Sequence, residues 1–157
     1  MKKVKIFSAL IVGFFYVLPA LSQTLPNNAQ LEKDPWTKNQ LMEPSVLASL
    51  IKNPKAVKPL IFNIGVEKDI KGAKNMGAAS EKENLERFKK TLSKLPKNAS
   101  VVVYCGCCPF HKCPNIRPAF NALQQGGFKN GRLLNLATNI KTDWISKGYP
   151  VNKVTQR

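Results

Sequence analysis

The segment Ser100-Val101-Val102-Val103-Tyr104-Cys105-Gly106-Cys107-Cys108-Pro109-Phe110-His111-Lys112-Cys113 joins two unlike halves. Its first half is β-branched and apolar without alternation, as in a central parallel strand covered on both faces. Its second half holds all four cysteines of the chain within nine residues. A secreted domain stapled by disulfides spreads its cysteines to close long loops. These can close only short ones, so the cluster reads as a site.

Elements predicted outward from this junction alternate in type. Upstream, Pro44 suits the first turn of a helix. Val46, Leu47, Leu50 and Ile51 mark one face of it, and Asn53-Pro54 ends it. Residues 60–64, flanked by Pro59 and Gly65, read as a buried strand. Residues 68–80 contain Gly72 and Gly77 and read as a loop. A second helix is predicted over 81–95, where Leu85, Phe88, Leu92 and Leu95 recur at three or four residues before Pro96. Downstream, residues 118–125 read as a helix with Phe120 and Leu123 inward, ended by Gly126-Gly127. Residues 132–136 read as a strand, and Ile140, Trp144 and Ile145 mark a last helix. Strands alternating with helices imply an α/β fold, a central parallel sheet flanked by helices on both faces. Trp36 and Trp144 are expected to pack in or over the core.

The ends of the chain have other tasks. Lys2, Lys3 and Lys5 precede an apolar run from Ile6 to Leu18, and Pro19-Ala20-Leu21-Ser22 offers small residues for cleavage before Gln23. Residues 1–22 are therefore expected to be a secretory signal peptide. The apolar run is short for a membrane span, which needs ~20 residues, so no span is expected after cleavage. The mature protein would be exported, to a periplasm or beyond the cell. Residues 23–39 are polar, contain Pro26 and Pro35, and read as a linker or N-terminal arm. Residues 40–157 form the domain.

The chain carries 25 basic and 9 acidic residues, a formal +16. Removing the three leader lysines leaves +13. A small anion or an acidic surface fits this charge better than nucleic acid, because the lysines are scattered and export removes the chain from the genome. A monomer is expected.

In open parallel sheets ligands bind beyond the carboxyl ends of the strands. Cys105 stands at such an end, with a helix close behind. Amide dipoles at a helix start can lower a thiol pKa from ~8.5 to between ~3.5 and ~7.5, and Lys112 and Arg117 add positive charge. Cys105 is thus the candidate nucleophile. Gly106, Cys107 and Cys108 are the candidate anion-binding loop.

The order Val101-Val102-Val103-Tyr104-Cys105, then 118–123, Gly127-Phe128, Leu133-Leu134-Asn135-Leu136, Trp144 and Gly148-Tyr149-Pro150-Val151 resembles the second half of a rhodanese domain. The Pro44 helix, the strand at 60–64 and Gly72-Ala73 resemble its first half. The resemblance spans 41–152. It implies a sulfurtransferase, without a cofactor, whose cysteine carries sulfur as a persulfide between a small sulfur-containing anion and a thiol acceptor. Cys105 would be that cysteine. Arg117 would be a second catalytic residue, since the family's loop ends with cationic or hydroxyl side chains. Three departures stand out. The loop is about five residues longer than usual and carries the extra cysteines. Asn63-Ile64-Gly65 replaces Asp-Val-Arg, and Asp69-Ile70-Lys71 replaces Gly-His-Ile. These put activity on thiosulfate with cyanide in question.

Other uses of the cluster compete. Cys107, Cys108 and Cys113, with His111 and Lys112 beside them, could support thiol–disulfide cycling with Cys105, although no Cys-x-x-Cys occurs. Cys105, Cys108, His111 and Cys113 could bind zinc or copper(I). Phosphatase chemistry would need an arginine six residues after a cysteine, where His111, Cys113, Pro114 and Ala119 stand instead. The expected oxidised state pairs Cys113 with Cys107 or Cys108 and leaves Cys105 free. N-terminal sequencing of the exported protein should begin at Gln23 or within a residue or two of it; recovery of Met1 from the exported fraction would refute cleavage.

Overall fold

The structure is a computed structural model that describes residues 34–152. The expected signal peptide lies outside the described residues, as does most of the expected arm. Five parallel strands form one sheet in the order β1-β5-β4-β2-β3. They are β1 (Leu41–Met42), β2 (Leu60–Asn63), β3 (Ala73–Asn75), β4 (Val101–Tyr104) and β5 (Gly131–Leu134). The helices are α1 (Pro44–Lys52), α2 (Lys82–Leu92), α3 (Ile116–Gln125) and α4 (Ile140–Asp143).

Strand β4 is central because its side chains can be buried on both faces. Val101 and Val103 join Phe88, Leu92, Ile116, Phe120 and Leu123 in one core. Val102 and Tyr104 join Leu47, Ala48, Ile51, Ile140 and Trp144 in the other. Helices α2 and α3 thus cover one face and α1 and α4 the opposite one. This is the α/β architecture that the resemblance to rhodanese domains implies. It places Gly65, Cys105 and Asn135, which follow β2, β4 and β5, along one edge of the sheet.

Several expectations need correction. Residues 68–80 are not all loop, since β3 lies among them. Its residues Lys74 and Asn75 are exposed, and it pairs with β2 through backbone alone, so no hydrophobic pattern marks it. Strand β1 is only two residues long and was likewise absent from the pattern. Helix α1 buries Leu47, Ala48 and Ile51, whereas Val46 is exposed. Helix α3 starts two residues early and buries Ile116. Ile145 lies on a short 3₁₀ turn and is exposed, while Trp144 is fully buried and donates its indole N–H to Pro150 O at 3.0 Å.

The replacement segment Asp69-Ile70-Lys71 is built into the body. Ile70 is buried, bridges Val151, and donates its N–H to Tyr104 Oη at 2.8 Å. Burial pushes the Tyr104 phenol far above its usual pKa, so it stays neutral. Tyr104→Phe removes the acceptor of a buried amide, which costs about 1–3 kcal/mol. The urea midpoint should fall with an unchanged slope; an unchanged midpoint would show that Ile70 finds another partner.

Candidate functional site

Cys105 follows the last residue of β4 and is buried, 1% exposed. The ladder runs one step past the strands, with Ile64 N–H donating to Tyr104 O at 2.9 Å. The next residue on that side is Gly65. A Cβ there would collide with Cys105 Sγ, so a larger residue would have to displace the thiol. Asn63 shapes this turn. Its Oδ1 accepts from Gly65 N–H at 3.0 Å, and its Nδ2 donates to Glu67 O at 2.7 Å and to Asp69 Oδ1 at 2.9 Å. The departure Asn63-Ile64-Gly65 thus makes room for the thiol.

After Cys105 the chain turns sharply at Gly106, whose φ is +89°. A Cβ at Gly106 would stand 2.8 Å from Ile140 Cβ, and its carbonyl accepts from Ile140 N–H at 2.9 Å. The loop is then held from the opposite side of the sheet end. Phe110 N–H donates to Leu136 O at 3.2 Å, and the Phe110 ring lies 5.7 Å from that of Trp36. Trp36 also meets Phe120 edge-on at 5.8 Å. This residue of the arm packs as expected, under the loop.

The loop folds back so that three thiols converge. Cys107 Sγ lies 3.3 Å from Cys105 Sγ and 3.6 Å from Cys113 Sγ, and the three sulfurs lie within 4.8 Å of one another. Cys105 and Cys113 are buried, and Cys107 is exposed. Cys108 Sγ touches only Cys107 among them, at 3.1 Å. All four are free thiols, so no disulfide joins Cys113 to Cys107 or Cys108 in this state. The metal set considered from sequence is also altered. The converging group is Cys105, Cys107 and Cys113, without Cys108 or His111. Three sulfurs at these separations could hold a soft cation such as copper(I).

Asn115, absent from the sequence-based candidates, completes the site. It is buried, its Nδ2 donates to Cys105 Sγ at 3.2 Å, and its Oδ1 accepts from Ser80 N–H at 2.8 Å. It precedes α3, where an asparagine reads as an ordinary helix cap, so only its contact reveals the role. Arg117 pairs with Asp34 at 2.6 Å and lies over the Trp36 ring at 5.4 Å. His111 and Lys112 are exposed on a 3₁₀ turn, with the His111 ring against Phe110.

These contacts divide the thiols into unlike groups. The Cys105 pKa is lowered to about 6. The main cause is the Cys113 thiol, which keeps its proton and offers it to the Cys105 sulfur; the Cys107 N–H, Asn115 Nδ2 and the Cys107 thiol add to this against the cost of burial. Although Cys107 is exposed as a residue, its sulfur is partly shielded from water by the thiols around it, and this desolvation, followed by the neighbouring Cys108 and Cys105, pushes its pKa up to about 12. The ionised Cys105, together with burial, pushes Cys113 far up. Cys105 is therefore the most acidic of the three converging thiols, and the thiolate is the form in which a thiol is a nucleophile.

No family model matches the chain, and no curated protein matches its sequence. Among solved structures, the chain is similar to the single-domain sulfurtransferase RDL2 of Saccharomyces cerevisiae. Identity is 19%, the TM-score is 0.47, and the match covers 72% of this chain and 95% of that one.

Thiolate ultraviolet absorbance should titrate one group near pH 6, absent in Cys105→Ser and displaced upward in Asn115→Ala. A folded pKa below the unfolded one adds stability that is full above the unfolded value and lost as pH falls through the folded one. The Tm advantage of the wild type over Cys105→Ser should therefore shrink between pH 9 and pH 6. A wild-type titration with no group below pH 8 would contradict this assignment.

Proposed function

We propose that this protein is a rhodanese-like sulfurtransferase that carries sulfane sulfur as a persulfide on Cys105, in a domain exported from the cytoplasm. The observation that carries the reading is the buried Cys105 thiol at the end of the central strand, which accepts from Asn115 Nδ2 and has the Cys107 and Cys113 sulfurs beside it. The sequence pattern around it, which resembles the second half of a rhodanese domain, supports the same reading. The leader sequence supports export.

The chemistry needs no cofactor. The Cys105 thiolate attacks the outer sulfur of a donor such as thiosulfate. The donor's sulfur–sulfur bond breaks, sulfite leaves with the electron pair, and Cys105 holds a persulfide. An acceptor thiolate then takes the outer sulfur and Cys105 returns as thiolate. The donors that hold the resting thiolate serve equally to stabilise it as leaving group, since a thiol of lower pKa leaves faster. The basic surface would raise the local concentration of an anionic donor. Arg117 and Lys112 are proposed to act in this way, Arg117 while also fixing the arm to α3 through Asp34.

The test is single replacement of each cysteine by serine, with sulfur transfer measured from thiosulfate to dithiothreitol. Cys105→Ser should retain less than about 1% of the rate, since no other group replaces the nucleophile. Intact mass should show one added sulfur atom on the wild type after donor treatment and none on Cys105→Ser. Full activity in Cys105→Ser would sink the proposal.

A further inference from the structure

The proposed carrier has an access problem. Cys105 is 1% exposed, closed in by Gly65 on one side and by the returning loop on the other. A small anion needs little clearance at such a sulfur, whereas a thiol borne on another protein needs an open in-line approach that this enclosure denies it. Cys107 is exposed, yet its sulfur lies 3.3 Å from that of Cys105. The three-thiol cluster therefore runs from the interior to the surface.

We propose that Cys107 is the exit thiol of this site, taking the sulfane sulfur from Cys105 and presenting it at the surface to the thiol of a partner protein. The inference rests on the persulfide reading of Cys105. The step exchanges one sulfur–sulfur bond for another. The Cys107 thiol first passes its proton to the terminal sulfur of the Cys105 persulfide anion. Cys107 Sγ then attacks that sulfur, the bond from it to Cys105 Sγ breaks, and the electron pair stays on Cys105. One thiol and one persulfide anion become one protonated persulfide and one thiolate, with no net oxidation. The partner thiolate then removes the sulfur from Cys107, which returns as thiol.

The geometry suits the exchange. Two sulfur–sulfur bonds in line span ~4 Å, so the exposed Cys107 side chain needs only a small outward swing from its 3.3 Å contact. The arrangement also sets the direction. The Cys113 thiol and Asn115 Nδ2 stabilise Cys105 as the departing thiolate. Cys108, in contact with Cys107 alone among the three, is poorly placed to take sulfur from Cys105 directly.

The test loads the full exported protein with thiosulfate labelled in its outer sulfur, quenches with iodoacetamide, and locates the label by peptide fragmentation. Transfer is then followed to reduced thioredoxin, a protein thiol. In the wild type the label should appear on Cys105 and on Cys107. In Cys107→Ser and Cys107→Ala it should appear on Cys105 alone at full occupancy, with transfer to thioredoxin slowed ~10-fold or more for want of a surface thiol. Label confined to Cys105 in the wild type, together with unimpaired transfer by both variants, would overturn the relay and leave the carrier role of Cys105 standing. Absence of label from every cysteine in the wild type would overturn both.

Discussion

Two strand ends pass so closely at Gly65 and Cys105 that no side chain fits between them, and the rest of the site follows from that contact. The sheet brings β2 and β4 together in register, Asn63 beside Tyr104, and one further hydrogen bond carries the pairing past both strands. With Gly65 closing one side, the Cys105 sulfur can meet polar groups only from its own loop and the start of α3. The loop supplies Cys107 and Cys113, and the helix start supplies Asn115. A larger residue at position 65 would force the sulfur out of this arrangement. In this chain the departure Asn63-Ile64-Gly65 therefore does positive structural work, since Asn63 forms the turn that delivers the glycine.

Electrostatics at the thiol are local. Burying a charge is costly unless hydrogen bonds replace the lost water, and the net lowering of the Cys105 pKa means that they do so here. The donors are two thiols, an amide N–H and a carboxamide; no lysine or arginine is among the causes. The high positive charge therefore acts on what approaches the protein and is screened by salt over ~10 Å. That separates two tasks that sequence reasoning had merged. Short-range neutral donors surround the Cys105 sulfur, whereas Lys112 is exposed and Arg117 is half-buried over Trp36 and paired with Asp34.

Much of the fold was legible because the central strands are continuous apolar runs, and because proline and glycine mark the ends of α1 and α3. Strands β1 and β3 were not, since a two-residue strand has no period and in Ala73-Lys74-Asn75 only the small Ala73 packs against the core while Lys74 and Asn75 are exposed. The position of a buried thiol at the end of the central strand was legible from the junction of Tyr104 and Cys105. The choice between Cys107 and Cys108 as its neighbour was not. That choice depends on the left-handed turn at Gly106, which is packed against Ile140, a residue far along the chain. Asn115 was equally hidden, because its two partners, Ser80 and Cys105, are brought together only by the tertiary fold.

The length of the loop has its own physical requirement. Ordering an irregular segment costs roughly 1–2 kcal/mol of backbone entropy per residue, so residues 106–114 must be fastened to something. The exposed Arg117–Asp34 pair can supply little, since such pairs contribute ~0–1 kcal/mol. Trp36 supplies more. Its largely buried ring removes a large apolar area from water at about 25 cal/mol per Å², and each of its contacts with Phe110 and Phe120 adds ~0.5–1.5 kcal/mol. Phe110 in turn anchors the backbone turn whose last carbonyl bond delivers Cys113, with Cys113 N–H donating to Phe110 O at 3.2 Å. The position of a buried thiol is thereby tied to a tryptophan that precedes the first strand. The described part of the arm is held chiefly by the packing of Trp36, with the Asp34–Arg117 ion pair beside it.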